Sequence, residues 1–205
     1  MKLILIIVLG YLIGSVPFAL VIGKVFFHKD IRQYGSGNLG GSNAGRVLGK
    51  RAGLATMALD LLKVTLVVLI AARIGGDDTV IALGALAAIL GHCYPLFAQF
   101  HGGKAVASMY GMLFGLVVFA GRSPLYFFLP LLVFIVVLFL GRMSSLSSML
   151  STIAVTIFIW LQPAESLSIK VVQLIIAILI VYRHRANIER IRNHNENTVS
   201  WIPKL

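Results

Sequence analysis

Seven apolar runs fill most of this 205-residue chain, and each approaches the roughly 20 residues that a helix needs to cross a bilayer. They fall at 3–27, 52–73, 79–100, 105–120, 124–141, 145–161 and 166–183. No single soluble core could absorb them. Only 12% of the residues are charged and 59% are hydrophobic, whereas a soluble domain carries about 25% charge. The expected fold class is therefore all-α: a polytopic transmembrane helical bundle of about seven spans, with residues 1–205 forming a single integral membrane domain. The fourth to sixth runs are short and closely joined, so six or five spans are the alternatives.

Charge sets the expected orientation. Lys24, Lys29 and Arg32 follow the first run, while only Lys2 precedes it. That run is also longer than the apolar core of a signal peptide, so it reads as a retained span with its N-terminus outside. Alternating from there, 24–51, 101–104, 142–144 and 183–205 face the cytoplasm and hold 13 of the 18 Lys and Arg. Lys2, Arg73, Arg122 and Lys170 lie outside, and Lys63 lies within a span. This matches the positive-inside bias. The net charge of +11 is then first of all a topology signal. No RNA-binding aromatic motif or zinc spacing points to nucleic acid. Cys93 is the only cysteine, which rules out an intrachain disulfide.

Polar residues crowd four expected cytoplasmic segments: the loop 28–51, the turns near His101–Lys104 and Arg142–Ser148, and the tail 183–205. In the loop, Gly35, Gly37, Gly40, Gly41 and Gly45 make five glycines in eleven residues, which lets the backbone approach a ligand closely and present an anion nest. Ser36, Asn38, Ser42 and Asn43 add donors, and Arg46 offers a planar fork for phosphate. Gly35-x-Gly37-x-x-Gly40 matches a dinucleotide fingerprint literally, but a membrane helix rather than a strand precedes it. A plain linker is the other reading. In the second cluster, His92 precedes Gly102, Gly103 and Lys104, with Lys104 read as opening a helix. Helices starting near Ala52, Lys104 and Ser145 would all point their N-termini inward, where free N–H groups favour anions. In the third cluster His184 and Asn187 share a helix face beside Arg183 and Arg185. Asp60 and Lys63 sit i, i+3 inside the second span, as a structural ion pair or an accessory to function. No Walker A, His-Glu-x-x-His or nucleophile elbow is present, no metal or cofactor is expected, and no general base stands out.

These motifs run Gly-Ser-Gly-Asn-x-Gly-x-Ser-Asn-x-x-Arg, Leu-Asp-Leu-Leu-Lys, Gly-His-x-x-Pro-x-Phe-x-x-Phe-x-Gly-Gly-Lys, Ser-Leu-x-Ser and His-Arg-x-Asn-Ile. In that order they resemble the bacterial acyl-phosphate:glycerol-3-phosphate acyltransferase (PlsY) family over about residues 10 to 192. The resemblance implies transfer of a fatty acyl group from acyl phosphate to the sn-1 hydroxyl of glycerol-3-phosphate at the cytoplasmic face of the bacterial inner membrane. Lysophosphatidic acid and phosphate are the products. Ser36, Asn38, Asn43 and Arg46 match the first motif, and His92, Gly102, Gly103 and Lys104 the second. Ser145 and Ser148 match the serine pair, and His184 and Asn187 the third motif. The family usually has Pro at Leu39, Thr at Ser42 and Gly at Ala105. It often has Gly at Val64 and Gly-Thr-Glu near His194-Asn195-Glu196.

On this reading Lys104, Arg46, Ser36, His184 and Asn187 carry the reaction. Gly35, Gly37, Asn38, Gly40, Ser42, Asn43, His92, Gly102, Gly103, Ser145 and Ser148 line the substrate and phosphate site. The partners are acyl phosphate, glycerol-3-phosphate and membrane lipid, with no nucleic acid, and the chain is expected to act as a monomer. His184 or a substrate phosphate would take the hydroxyl proton. A small anion or organophosphate transporter is the rival function, and a structural membrane subunit is a third.

Overall fold

The computed structural model describes residues 1–199. The expected cytoplasmic charge at Lys204, with the rest of 200–205, lies outside the described residues. Among the described residues the regular elements are ten α-helices and two short 3-10 turns, with no strand. They form two compact units, Met1–Ala120 and a second from Gly121 onward.

Unit 1 begins with α1 (Lys2–Gly14) and α2 (Phe18–Phe27). The single run expected over 3–27 is thus interrupted at 15–17. Pro17 has no N–H and disfavours helix in the residue before it, so the chain bends there. The Val16 carbonyl released by the break accepts a hydrogen bond from Lys63 Nζ at 3.0 Å. Such breaks are tolerated in a membrane only when a neighbouring helix satisfies the freed groups. A cleft of about 480 Å³ opens beside it, lined by Ile13, Phe18, Leu59, Leu62 and Lys63 among others.

The segment read as a long loop is partly helical. Asp30 caps a 3-10 turn, Ile31–Gln33, and α3 (Gly41–Leu48) follows. Gly49, at φ +98°, turns the chain into α4 (Lys50–Arg73). There α3 and α4 nearly touch: a Cβ on Gly53 would stand 2.7 Å from the Gly45 Cα. Next come α5 (Asp78–Cys93) and α6 (Val106–Phe119). Small residues set these contacts, because lipid supplies no hydrophobic force between helices. Gly10 and Gly14 of α1 face Gly84 and Ala88 of α5, where a Cβ would strike backbone. Thr65 Oγ1 of α4 donates to the Gly111 carbonyl of α6 at 2.9 Å.

Unit 2 holds α7 (Leu125–Gly141), α8 (Ser144–Trp160), α9 (Leu167–Arg183) and α10 (Arg185–Arg192). The α9–α10 pair bends by 54° at His184. Along one face of α8 the hydroxyls of Ser147, Ser148, Thr152 and Thr156 donate to backbone carbonyls four residues earlier. Gln173 of α9 reaches Thr156 Oγ1 at 3.1 Å. Outside the helices, Arg122 forms a fork on Glu165, which also accepts from Tyr126.

Among the described residues three helical stretches are long and apolar enough to cross a membrane: Lys2–Phe27, Lys50–Arg73 and Asp78–Ala98. The pair Leu167–Arg183 and Arg185–Arg192, bent by 54°, makes a fourth if the two helices are counted as one broken span. The remaining apolar helices α6, α7 and α8 have 14 to 17 residues. At 1.5 Å per residue they reach about 21–26 Å, short of the roughly 30 Å hydrocarbon core. Large apolar side chains such as Ile4, Phe128, Leu132 and Ile178 stand exposed on the helix faces, as lipid-facing residues do.

Candidate active site

One cluster lies at the end of unit 1 where α3 and α4 begin. Gly35 and Gly37 adopt φ of +61° and +66°, which only glycine takes without strain. Their turn is held by Asn43, buried to 1% exposure. Its Oδ1 accepts the Ser36 N–H at 2.9 Å and its Nδ2 donates to the Tyr34 carbonyl at 3.2 Å. The Asn43 side chain thus organises the loop from beneath. Ser36, Ser42 and Arg46 are exposed. Gly40 caps α3, whereas Gly41 and Gly45 pack toward Gly53. Those last two glycines serve helix contact, a division that spacing alone does not reveal.

Asn38 Nδ2 donates to the Gly102 carbonyl at 3.2 Å, joining this loop to the second cluster. The Gly103 N–H bonds the His92 carbonyl at 3.0 Å, and a Cβ on Gly103 would strike the His92 ring. The turn is so closely packed that neither Gly102 nor Gly103 has room for a side chain. Lys104 is half-buried. It does not open the helix as expected. Helix α6 begins at Val106, capped by Ala105 at φ +65°. With Gln99 and Phe100 also at positive φ, three non-glycine residues of this short segment are left-handed, a concentration of backbone strain. His92 is buried, with Nδ1 3.1 Å from Lys63 Nζ and 3.3 Å from Asp60 Oδ1. Lys63 and Asp60 pair at 2.8 Å.

The remaining sequence-predicted residues belong to unit 2. His184 is buried at the α9–α10 bend and its Nδ1 lies 2.8 Å from the Ile180 carbonyl. A carbonyl only accepts, so Nδ1 is the donor there, and in the neutral form of the ring the lone pair falls on Nε2. The Asn187 N–H bonds the His184 carbonyl at 2.8 Å. Asn187 Nδ2 donates to Glu196 Oε1 at 2.6 Å, Ser145 Oγ donates to the same oxygen at 2.8 Å, and Arg190 Nε donates to Oε2 at 2.8 Å. Burial pushes the Glu196 carboxyl up, but the donors Asn187, Ser145 and Arg190 and the Arg190 charge outweigh it and hold it below the usual range. From the same tail the Val199 N–H donates to the Arg142 carbonyl at the end of α7 at 2.7 Å, and the Val199 carbonyl accepts from Arg142 Nη2 at 3.3 Å. Ser148 donates to the Ser144 carbonyl at 2.7 Å. Glu196 is therefore the organising residue of unit 2, absent from the residues singled out by the motifs. Its one signal in the sequence was a family acid near 194–196. Among the described residues no group of His, Cys, Asp and Glu is arranged to hold a metal.

Apolar helices with donor-rich turns at their ends in each unit define a multi-pass integral membrane protein. A family model described as glycerol-3-phosphate acyltransferase matches residues 4–194. A glycerol-3-phosphate acyltransferase of Streptococcus thermophilus is 44% identical over 208 residues, covering 98% of this chain and 95% of the relative. One from Streptococcus gordonii is 42% identical over 201 residues, covering 95% and 91%. Two crystal structures of PlsY (YgiH), an integral membrane glycerol 3-phosphate acyltransferase, are also similar. The glycerol 3-phosphate form has a TM-score of 0.90 at 34% identity, and the lysophosphatidic acid form 0.87 at 33%. Each match covers 98% of this chain and 96% of the other. The chain belongs to the glycerol-3-phosphate acyltransferase family, and it is an acyltransferase enzyme.

Proposed function

We propose that this chain transfers a fatty acyl group from acyl phosphate to the sn-1 hydroxyl of glycerol-3-phosphate, the first step of phospholipid synthesis. The hydroxyl oxygen attacks the acyl carbonyl, the acyl–oxygen bond to phosphate breaks, and lysophosphatidic acid and inorganic phosphate leave. Acyl phosphate is a mixed anhydride with a good leaving group, so the protein mainly positions the reactants and neutralises charge. Lys104, Arg46, the Ser36 hydroxyl and backbone N–H groups of the glycine-rich loop that are not bonded within it hold phosphate. His184 and Asn187 orient the glycerol hydroxyl, and the Nε2 lone pair or the departing phosphate takes its proton.

The observation that carries this reading is the Asn38–Gly102 hydrogen bond, which ties the glycine-rich loop to the Gly-Gly-Lys turn. It sets two donor-rich segments beside one another in unit 1. The acid–base character of His184 rests on its Nδ1 contact with Ile180. The reading extends to seven spans with the N-terminus outside, to an active site facing the cytoplasm of the bacterial inner membrane, and to a monomer.

The test is purified protein in nanodiscs with acyl phosphate and glycerol-3-phosphate, assayed for phosphate and lysophosphatidic acid. Lys104→Ala is expected to lower phosphate release by about 10³-fold or more with unchanged abundance in the membrane. Near-normal turnover by that variant would remove Lys104 from the reaction. Uptake of an organophosphate into liposomes without phosphate release would replace the enzyme with a transporter.

A further inference from the structure

The buried cluster that joins Asp60 and Lys63 of α4 to His92 of α5 has no part in the chemistry above. Asp60 is 1% exposed, Lys63 5% and His92 6%. Ionisable groups inside a membrane helix are costly and mark function. Asp60 and Lys63 lie on one helix, three residues apart, so their mutual pairing pins no neighbour. The cross-helix contacts are what matter. Lys63 Nζ donates to the Val16 carbonyl at the α1–α2 break, and it faces His92 Nδ1 at 3.1 Å. His92 Nδ1 also lies 3.3 Å from Asp60 Oδ1. An ammonium donates and a carboxylate accepts, so Nδ1 finds a partner there in either tautomer and the ring is locked. That ring fills the space where a Gly103 side chain would stand, and its backbone carbonyl takes the Gly103 N–H. Asn38 grips the same turn from its other side through Gly102.

We infer that Asp60, Lys63 and His92 are positioning residues: they hold the Gly102–Gly103–Lys104 turn in register with the 34–43 loop and act on the reaction only through that turn. The inference rests on the reading that this turn holds phosphate. A ring locked on one side by two charges and seated on a glycine on the other fixes the turn to within the small displacements that phosphate binding tolerates. A phosphate cradle about 1 Å out of place loses its hydrogen-bond geometry to that phosphate and costs about 10²-fold in kcat/KM.

The full chain in nanodiscs carries the test. Asp60→Asn/Lys63→Met removes both charges together and leaves neither ion buried without its partner. Its kcat/KM is expected to fall about 10²-fold. The fall should lie in KM for the one substrate whose phosphate the turn holds, with KM for the other within about twofold of wild type. Adding His92→Asn should cost no more than about threefold beyond the double variant, because both changes release the same turn. The inference is overturned if the double variant keeps kcat/KM within about threefold of wild type, or if kcat falls while both KM values stay put. The second pattern is that of fewer folded molecules, as simple helix pinning predicts. Should the double variant be lost from the membrane, His92→Asn alone answers the question by the same KM measurement. Lys104→Ala is run alongside. If it stays active, the phosphate reading fails; if it is dead while the double variant is active, only the positioning role fails.

Discussion

Ala105 stands where the family usually has glycine, and the backbone explains the preference. Its φ of +65° is left-handed, and it is fully buried. A Cβ in that conformation costs on the order of 1–2 kcal/mol, partly offset by the lower entropy of an unfolded alanine relative to glycine, about 0.5–1 kcal/mol. Ala105→Gly is therefore expected to stabilise the protein by up to ~1 kcal/mol. In thermal unfolding in detergent that is a rise of about 2–4 °C. Phosphate release should be at least equal to wild type, because Lys104 next door loses no contact. A lower melting temperature would mean that the alanine methyl packs well enough to outweigh its strain. The departure was visible in the sequence. Its consequence was not, because φ depends on where α6 begins, one residue later than hydropathy placed it and two later than a helix opened by Lys104.

At the scale of elements, the tail of unit 2 is a clasp closed by one carboxylate. Glu196 accepts from Ser145 on α8, Asn187 on α10 and Arg190 on α10, so a single group ties three segments. Its folded pKa is depressed. The stability it contributes is then fully present above the unfolded glutamate value, near 4.3, and is lost as pH falls through the lower folded value. Glu196→Gln is expected to cost about 1–3 kcal/mol near pH 7, since charge-assisted bonds become neutral ones. The gap in melting temperature between wild type and variant should narrow as pH drops below about 4.3. A gap that stays constant down to acid pH would show that the charge of Glu196 adds nothing. Little of this element was legible in advance. A lone glutamate in a polar tail has no periodicity and no neighbour in sequence to announce its partners. His184 and Asn187 were singled out because they sit three apart at the end of an apolar run. Ser145 and Ser148 were singled out too, but whether a serine hydroxyl points outward or bonds the preceding turn, as Ser148 does, depends on the helix start.

Over the whole molecule, hydropathy identified the solvent and the helical class, because apolar runs of this length leave no other fold. It missed the break at 15–17, where Ser15 and Pro17 are diluted by apolar neighbours within any spanning window. It also read as loop the stretch that holds α3, whose glycines look like flexibility until Gly53 is seen to face them. The proposed seven-span topology makes a demand that no local feature makes: the sidedness of each turn must alternate along the full chain. Cys93 is the only cysteine and is buried, so a Cys93→Ala background gives a chain with no other thiol. Single cysteines are then placed at the exposed positions Ser36, Thr79, Ala164 and Asn193. With a membrane-impermeant maleimide, Ser36→Cys and Asn193→Cys are expected to label only in inverted membrane vesicles. Thr79→Cys and Ala164→Cys should label only in right-side-out vesicles. The pair at 164 and 193 is the most demanding, because α6, α7 and α8 are shorter than a full span. If one of those three failed to cross, every later position would exchange sides, and Asn193→Cys would label from outside. Labelling of Ser36→Cys from outside would instead reverse the whole orientation and put the glycine-rich loop on the wrong face for cytoplasmic substrates.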